Sequence, residues 1–332
     1  MIRKLFSVTL CAFALLLLMG ASSVPEQTVT IVAEEGSVPT NSGVTLETDK
    51  VSDEAVHGAA GASLIELAEN TDSKLLIDGV PAPSDVARMQ KDGITYVSLA
   101  GMAKALDDTA QVQWDSGTGV ATVTTANLNV TAKVGQLYMV ANGRYLYLPE
   151  SAQVVEGRLT VPLWAVAEAF DAKVGWDSAT GTVTVTRGSG AIQSGESYYD
   201  QNDLFWLSRL IYAESGNQPL EGQMAVGNVV LNRVASPIYP NTIEGVLAQK
   251  NQFSTYQSGS LAKRTPNESS VIAAKLVLDG GVVEETRGAL YFDSSVGSWA
   301  SRNRNCIAVI GGHRSEERRV GKECRSLWSP YH

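Results

Sequence analysis

The chain has 332 residues, 44% hydrophobic and 18% charged, with a formal net charge of -9, enough apolar mass for one large or two modest packed domains. That acidity argues against a nucleic-acid partner held by phosphate neutralisation and against a polybasic membrane surface. Three cysteines cannot build a disulfide framework and three histidines leave little material for a metal site, so neither a metal nor a cofactor is expected.

Arg3 and Lys4 precede an apolar run from Leu5 to Met19, and the small residues Gly20, Ala21, Ser22 and Ser23 follow. This is the charged, apolar and small-residue order of a secretory signal. The run holds about 15 residues, short of the roughly 20 that span a bilayer. Residues 1–23 are therefore expected to be cleaved, Cys11 with them, leaving a secreted, extracellular or wall-associated protein without a stable membrane anchor. Residues 24–73 are rich in Val, Thr, Ser, Glu and Asp and hold no sustained period. They read as a flexible acidic linker with a solvated His57 and, at most, one short helix over Ser63 to Asn70.

Residues 74–187 contain an internal duplication. Gly93-Ile-Thr-Tyr-Val-Ser-Leu99 with Met102, Ala103 and Leu106 returns as Gly157-Arg-Leu-Thr-Val-Pro-Leu163 with Val166, Ala167 and Phe170. Trp114-Asp115-Ser-Gly-Thr-Gly returns as Trp176-Asp177-Ser-Ala-Thr-Gly. Each unit predicts a strand, a short amphipathic helix, and a hairpin whose turn uses Asp to bond its own backbone and Gly to adopt a left-handed conformation. Between the units, Val130 to Leu148 alternates as two more strands around Asn142-Gly143, a strong hairpin signal. The region resembles the copper amine oxidase N-terminal-like domain of secreted bacterial proteins. No histidine lies between His57 and His313, so nothing here supplies the histidine cluster of the oxidase itself. Trp114 and Trp176 can stack on sugars, but tryptophans at matching places in a repeat are expected first as core anchors. The module is read as noncatalytic, binding or spacing.

Residues 188–199 form a Gly/Ser-rich linker. After it, Leu204, Phe205, Leu207, Leu210 and Ile211 carry the 3.6-residue period of a helix that stops near Ser215-Gly216, which puts Glu214 in the last turn. Pro219 opens a second helix ending before Pro237, Asn241 with Glu244 caps a third through Leu247, and Thr265-Pro-Asn-Glu268 is a capping box for a fourth ending at Gly280. Residues 289–292 and 306–310 read as short strands. No Ser, His and Asp set is present, and Cys306 has no identifiable partner histidine. Carboxylates remain as the chemical class. Glu214 closes an apolar helix, where desolvation would raise its pKa and keep it protonated as a general acid; the competing reading is an exposed helix-end glutamate.

Leu210-Ile-Tyr-Ala-Glu214 followed by Glu221-Gly-Gln-Met-Ala-Val-Gly-Asn-Val-Val-Leu-Asn232-Arg233-Val234, then Gln252-Phe253, Gly288-Ala-Leu-Tyr291-Phe292, Trp299 and Ile310-Gly-Gly-His313, resembles the cell wall hydrolase family typified by the spore cortex-lytic enzyme. Residues 200–313 carry this resemblance. It implies a mainly helical lysozyme-like fold of the lytic transglycosylase kind, making the whole a multidomain α+β chain, and it implies peptidoglycan glycan strands as substrate and Glu214 as the catalytic residue. In the implied mechanism Glu214 protonates the oxygen between N-acetylmuramic acid and N-acetylglucosamine, then accepts a proton from the muramic C6 hydroxyl as that oxygen closes on C1. One carboxyl group suffices because the nucleophile is intramolecular, whereas an ordinary glycosidase needs a second one. Glu221 is the candidate second carboxylate, but it lies in the first turn of the next helix, where acids are favoured for capping. Asn232, Gln252, Phe253 and Tyr291 are the candidate substrate-binding residues; core packing competes for both aromatics.

From Arg314 to His332 the composition turns polar without period. The string resembles the in-frame translation of a common sequencing-library adapter, departing from it at Leu327, and residues 314–332 are assigned no function. Three function classes stay open: a lytic transglycosylase; a hydrolytic muramidase or an amidase, the latter disfavoured by the histidine count; and a catalytically silent wall-binding or spacing protein.

Overall fold

Short strands and tight turns fill the first half of the described residues, as their Val- and Thr-rich alternation and glycine-bearing turns dictate. The computed structural model describes residues 74–293, 306–310 and 313–316. The expected signal, the acidic spacer with its short helix and His57, and residues 317–332 lie outside the described residues. In chain order the module runs β1 (Lys74–Ile77), β2 (Val80–Pro81), β3 (Arg88–Lys91), β4 (Ile94–Ser98), α1 (Leu99–Leu106), β5 (Gln111–Asp115), β6 (Val120–Thr124), β7 (Asn129–Lys133), β8 (Tyr138–Ala141), β9 (Arg144–Tyr147), β10 (Gln153–Val155), β11 (Arg158–Pro162), α2 (Leu163–Ala169), β12 (Lys173–Asp177) and β13 (Thr182–Thr186).

Three sheets result, in the orders β12-β13-β1-β2, β10-β11-β4-β3 and β5-β6-β7-β8-β9. Strands β4 and β11 pair antiparallel with Val97 opposite Val161, and each runs directly into its helix, α1 or α2. Parallel pairing of β1 with β13 joins the first strand to the last. Ser98 starts α1 by accepting a hydrogen bond from the Gly101 amide at 3.2 Å. The two Asp-led turns share one construction. Asp115 accepts from the Gly117 amide at 2.9 Å and from the Thr118 hydroxyl at 2.7 Å, and Asp177 accepts from the Ala179 amide and the Thr180 hydroxyl at the same distances. At Asn142-Gly143 both residues have positive φ, 47° and 81°, the type I′ geometry that matches strand twist.

Trp114 and Trp176 depart from the expected core role: they are 49% and 58% exposed. Their strands, β5 and β12, are edge strands, so no neighbouring strand covers them on one side. The expected Gly/Ser linker also differs from a loose joint. Ile192 is buried in the module's core, the Gly195 amide donates to Asn142 O at 2.9 Å, and Gly195–Tyr198 form a short helix, α3. A Cβ on Gly195 would meet Gly143 O at 2.4 Å. Glycine is there for close approach rather than for freedom.

The second half comprises α4 (Gln201–Ser215), α5 (Leu220–Ala235), α6 (Ile243–Leu247), α7 (Ser254–Gln257), α8 (Glu268–Leu278) and a small sheet of β14 (Tyr291–Asp293), β15 (Cys306–Ile310) and β16 (His313–Glu316), ordered β14-β16-β15. Asp200 caps α4, accepting from the Asn202 and Asp203 amides at 2.9 Å. Thr242, not Asn241, caps α6, its hydroxyl accepting from the Gly245 amide at 3.1 Å. For α8 the cap is Asn267, accepting from the Ser270 amide at 2.9 Å, and Thr265 lies outside the helix. Leu207, Leu210, Ile211, Met224, Val230, Leu247 and Val277 meet in one core. Strand β16 pairs as far as Glu316 with Tyr291 and Cys306, three residues into the adapter-like string, because main-chain pairing requires only backbone N–H and C=O groups.

Strand β9 docks the module on α8. Arg144 donates through Nε to Asp279 Oδ2 at 3.0 Å, through Nη2 to Asp279 Oδ1, and through Nη2 to Glu168 Oε1 at 3.0 Å. The Asp279 side chain is 1% exposed. It also accepts from the Tyr199 hydroxyl at 2.7 Å, while that hydroxyl accepts from the Tyr145 amide at 2.9 Å. Tyr198 lies with its ring 3.6 Å beneath the Arg144 guanidinium. Nearby, the Tyr147 hydroxyl donates to Glu221 Oε1 at 3.0 Å, and the Tyr147 ring belongs to the helical core. Buried charge and shared apolar surface therefore join the two halves.

Candidate active site

The end of α4 and the start of α8 face each other across an open pocket of about 460 Å³, lined by Tyr212, Ala213, Glu214, Ser215, Gly216, Asn217, Arg264 and Asn267. Each wall has a local cause. Ser215 is buried and turns its hydroxyl back onto Ile211 O at 2.9 Å, which leaves Glu214 and Tyr212 as the polar side chains of the last turn at the pocket. Gly216 ends the helix with its amide on Tyr212 O at 3.2 Å. A Cβ there would come within 2.6 Å of the Tyr212 ring and 2.7 Å of Tyr212 O, so a larger residue at this place would have to displace the helix end. Asn267 bridges the walls, since its side-chain amide donates to Gly216 O at 3.0 Å while its oxygen caps α8.

Behind the pocket, buried Gln223 of α5 donates to Gln218 O at 2.9 Å and to the Ser269 hydroxyl at 2.7 Å, and accepts from the Ser270 hydroxyl at 2.8 Å. That side chain ties α5, the loop before it and the first turn of α8 into one rigid frame. Leu261, fully buried, anchors the short turn that delivers Arg264.

Glu214 is half-buried. Burial pushes its carboxyl above the ordinary carboxylate range, and the Arg264 charge opposes that push without cancelling it. The negative end of α4 acts in the same direction as burial. Among the pocket-lining residues Glu214 is the one carboxylate. Glu221, the other carboxylate weighed from sequence, sits in the first turn of α5, bonded to Tyr147 and absent from the pocket lining. A protonated acid beside open space can give its proton to a leaving oxygen and take one back.

The four residues singled out for substrate binding come together, but around Arg233 rather than around this pocket. Asn232 donates to Thr286 O and Ala289 O, both at 2.9 Å. Arg233, 4% exposed, donates to Leu290 O at 2.7 Å and to Gln252 Oε1 at 3.2 Å. The rings of Phe253, Tyr291 and Tyr239 stand 5.7, 5.4 and 5.5 Å from its guanidinium carbon, and the two tyrosine hydroxyls bond each other at 3.0 Å. Phe253 is buried, which favours the core-packing reading for it. Cation–π contact with three rings compensates a guanidinium that burial shifts downward. Sequence reasoning passed over Arg264, Asn267 and Gln223. Asn267 was signalled by its capping position, whereas neither of the others stands out in a periodic pattern. Among the described residues no three His, Cys, Asp or Glu side chains gather as a metal ligand set.

Residues 217–314 match the family model described as Cell Wall Hydrolase, and residues 76–185 match that of the copper amine oxidase N-terminal domain. The chain carries a cell wall hydrolase domain. Proteins similar to it include the spore cortex-lytic enzyme of Bacillus cereus, 38% identical over 119 residues that are 35% of this chain and 44% of that protein. The spore cortex-lytic enzyme of Bacillus subtilis is 31% identical over 118 residues, 35% of this chain and 37% of that one. The chain thus spans less than half the length of the curated relatives it matches. Two solved structures are each 33% identical with a TM-score of 0.32: the catalytic domain of the Bacillus cereus SleB protein, with 36% of this chain and 92% of that one covered, and the catalytic domain of the germination-specific lytic transglycosylase SleB from Bacillus anthracis, with 38% and 100% covered. Glu214 lies just N-terminal to the stretch that matches the cell wall hydrolase model.

Proposed function

We propose that the cell wall hydrolase domain is a peptidoglycan lytic transglycosylase, cutting the bond between N-acetylmuramic acid and N-acetylglucosamine with Glu214 as general acid and then base. The observation that carries this reading is a single carboxylate, shifted toward its protonated form by burial, at an open pocket that no other carboxylate lines among the described residues. Such a pocket suits an intramolecular nucleophile, the muramic C6 hydroxyl, which needs one group to deprotonate it as the ring closes on C1. Inverting hydrolysis would need a second carboxylate to activate water. The kinship with spore cortex-lytic enzymes supports glycan strands as substrate. A lysozyme-like arrangement of α4, α5 and α8 and catalytic-domain bounds of 200–313 belong to the same reading, as does an origin of the β module by duplication.

Digesting peptidoglycan with the protein and with Glu214→Gln, then weighing the sugar ends, tests it. Anhydromuramic ends released by the wild type and lost in the variant are expected. Reducing ends would show hydrolysis, and an active Glu214→Gln variant would remove the mechanism.

The exposure of Trp114 and Trp176 favours a wall-contact role for the β module over a spacing one. Their indole faces, on edge strands held by rigid Asp turns, are open to stack on sugar rings. Because deletion of the module would strip the partners from Asp279, a Trp114→Ala/Trp176→Ala double variant is the sound probe. Reduced co-sedimentation with purified walls is expected, and unchanged sedimentation would return the module to a spacer.

A further inference from the structure

Arg264 stands at the mouth of the Glu214 pocket, exposed, and its guanidinium makes no hydrogen bond or ion pair with the described residues. It is not a loosely placed surface cation. Buried Leu261 anchors the turn that carries it, its amide donates to Leu261 O at 3.1 Å, and Asn267 ties the following cap to Gly216 across the pocket.

Other charged groups on the elements packed against α4 have other engagements or positions. Glu221 of α5 accepts from Tyr147, and Glu244 of α6 accepts from the Tyr256 hydroxyl at 2.9 Å. Lys275 of α8 lies 4.9 Å from the Tyr145 ring. Lys263 and Glu268 are exposed and absent from the pocket lining; Asp203 and Arg209 on α4 itself are half-buried and likewise absent from it. Of all these, Arg264 is the charge that acts on Glu214.

A planar guanidinium whose donors are unspent among the described residues, beside a pocket that takes a glycan, is a receptor for a carboxylate. Resting on the function proposed above, we infer that Arg264 binds a carboxylate carried on the muramyl side of the strand, from the lactyl group or from the peptide attached to it, and that this occupancy secures the proton on Glu214. The coupling is electrostatic. Empty, Arg264 favours the ionised carboxyl; once an anion neutralises it, burial acts on Glu214 unopposed and the general acid keeps its proton in the complex. Substrate thereby helps to set the protonation state that its own cleavage requires.

The test uses the full chain, with Arg264→Gln and Arg264→Lys. Three strand preparations serve as probes: strands bearing stem peptides, strands stripped to free lactyl carboxylates, and strands with their carboxylates converted to amides. Binding is measured in a Glu214→Gln background. There, Arg264→Gln is expected to weaken carboxylate-bearing strands about tenfold or more, the scale of a lost charge-assisted hydrogen bond, and to leave amidated strands unchanged, with Arg264→Lys in between. Loss on peptide-bearing strands alone assigns the stem peptide, loss on stripped strands alone assigns the lactyl group, and loss on both shows that either carboxylate fills the site. In active enzyme, the alkaline limb of kcat should lie above that of kcat/KM on charged strands, and the gap should close in Arg264→Gln. Equal binding by variant and parent, or equal loss on amidated strands, overturns the inference. If the wild type cuts nothing yet Arg264 still governs binding, the transglycosylase reading fails and the anion site stands. If Arg264→Gln binds and cuts as the wild type does, the reverse holds.

Discussion

Replacing Asp279 with alanine removes the acceptor at the centre of the joint between the β module and the helical domain. With its side chain 1% exposed and that of Arg144 9% exposed, both charges are withdrawn from water. After the substitution Arg144 keeps Glu168, whose side chain is 38% exposed, and the Tyr199 hydroxyl loses the acceptor for its proton. Breaking a buried pair from one side costs about 3–5 kcal/mol, because the remaining charge stays buried and poorly compensated. For about 150–250 cooperatively folded residues, about 2–4 °C in Tm per kcal/mol translates this into a fall of roughly 6–20 °C. Urea and thermal unfolding followed by circular dichroism measure it. The double variant Arg144→Met/Asp279→Leu should recover more than half of the loss, since replacing both partners with apolar groups removes the stranded charge. A fall below about 1 kcal/mol for Asp279→Ala, or a double variant worse than the single one, would refute the buried-pair argument. The same melts distinguish one unfolding unit from two. A joint of this kind predicts a single transition in the wild type and a separating, earlier transition in Asp279→Ala.

Three further outcomes are expected. Glu214 has its carboxyl raised on folding, so the stability it contributes is full below the ordinary carboxylate value and is lost as pH rises through the folded value; Glu214→Gln should therefore match the wild type in Tm near pH 4 and exceed it at pH 7, and a gap that fails to widen with pH would contradict the site's electrostatics. Gly195→Ala must push a methyl group toward Gly143 O, 2.4 Å from the ideal Cβ position, and should cost about 1–3 kcal/mol in chemical denaturation, whereas a flexible linker would accept it without loss. Tyr147→Phe removes the donor to Glu221 and should cost about 1.5–3 kcal/mol in the same assay, as expected for a hydrogen bond to a charged group, with the unfolding of Glu221→Gln less affected because an amide oxygen still accepts.

The amino-acid sequence by itself determined what depends on neighbours along the chain. Helical periodicity and capping located α4, α5 and α8, and Asn142-Gly143 and the two Asp-led turns specified their hairpins, since a turn or cap is decided within a few residues. The place of Glu214 in the last turn of an apolar helix was legible from spacing alone, whereas its candidacy as the catalytic acid rested on the family resemblance. The exact caps slipped, to Thr242 and Asn267, because Asn241 and Thr265 compete with them on local chemistry and only the path of the chain chooses. Tertiary structure decided whatever depends on distant segments. Trp114 and Trp176 look like core residues along their strands and are exposed because β5 and β12 are sheet edges, an outcome of strand order that no local pattern encodes. Residues 188–199 have the composition of a tether, yet Gly195 is packed against Gly143 and Ile192 is buried. Glycine serves freedom and close approach alike, and only the neighbouring backbone tells which. Asn232, Gln252, Phe253 and Tyr291 were gathered around Arg233, and Arg264 was brought to Glu214 from 50 residues further along the chain, because pairwise electrostatics and packing are properties of space rather than of sequence separation.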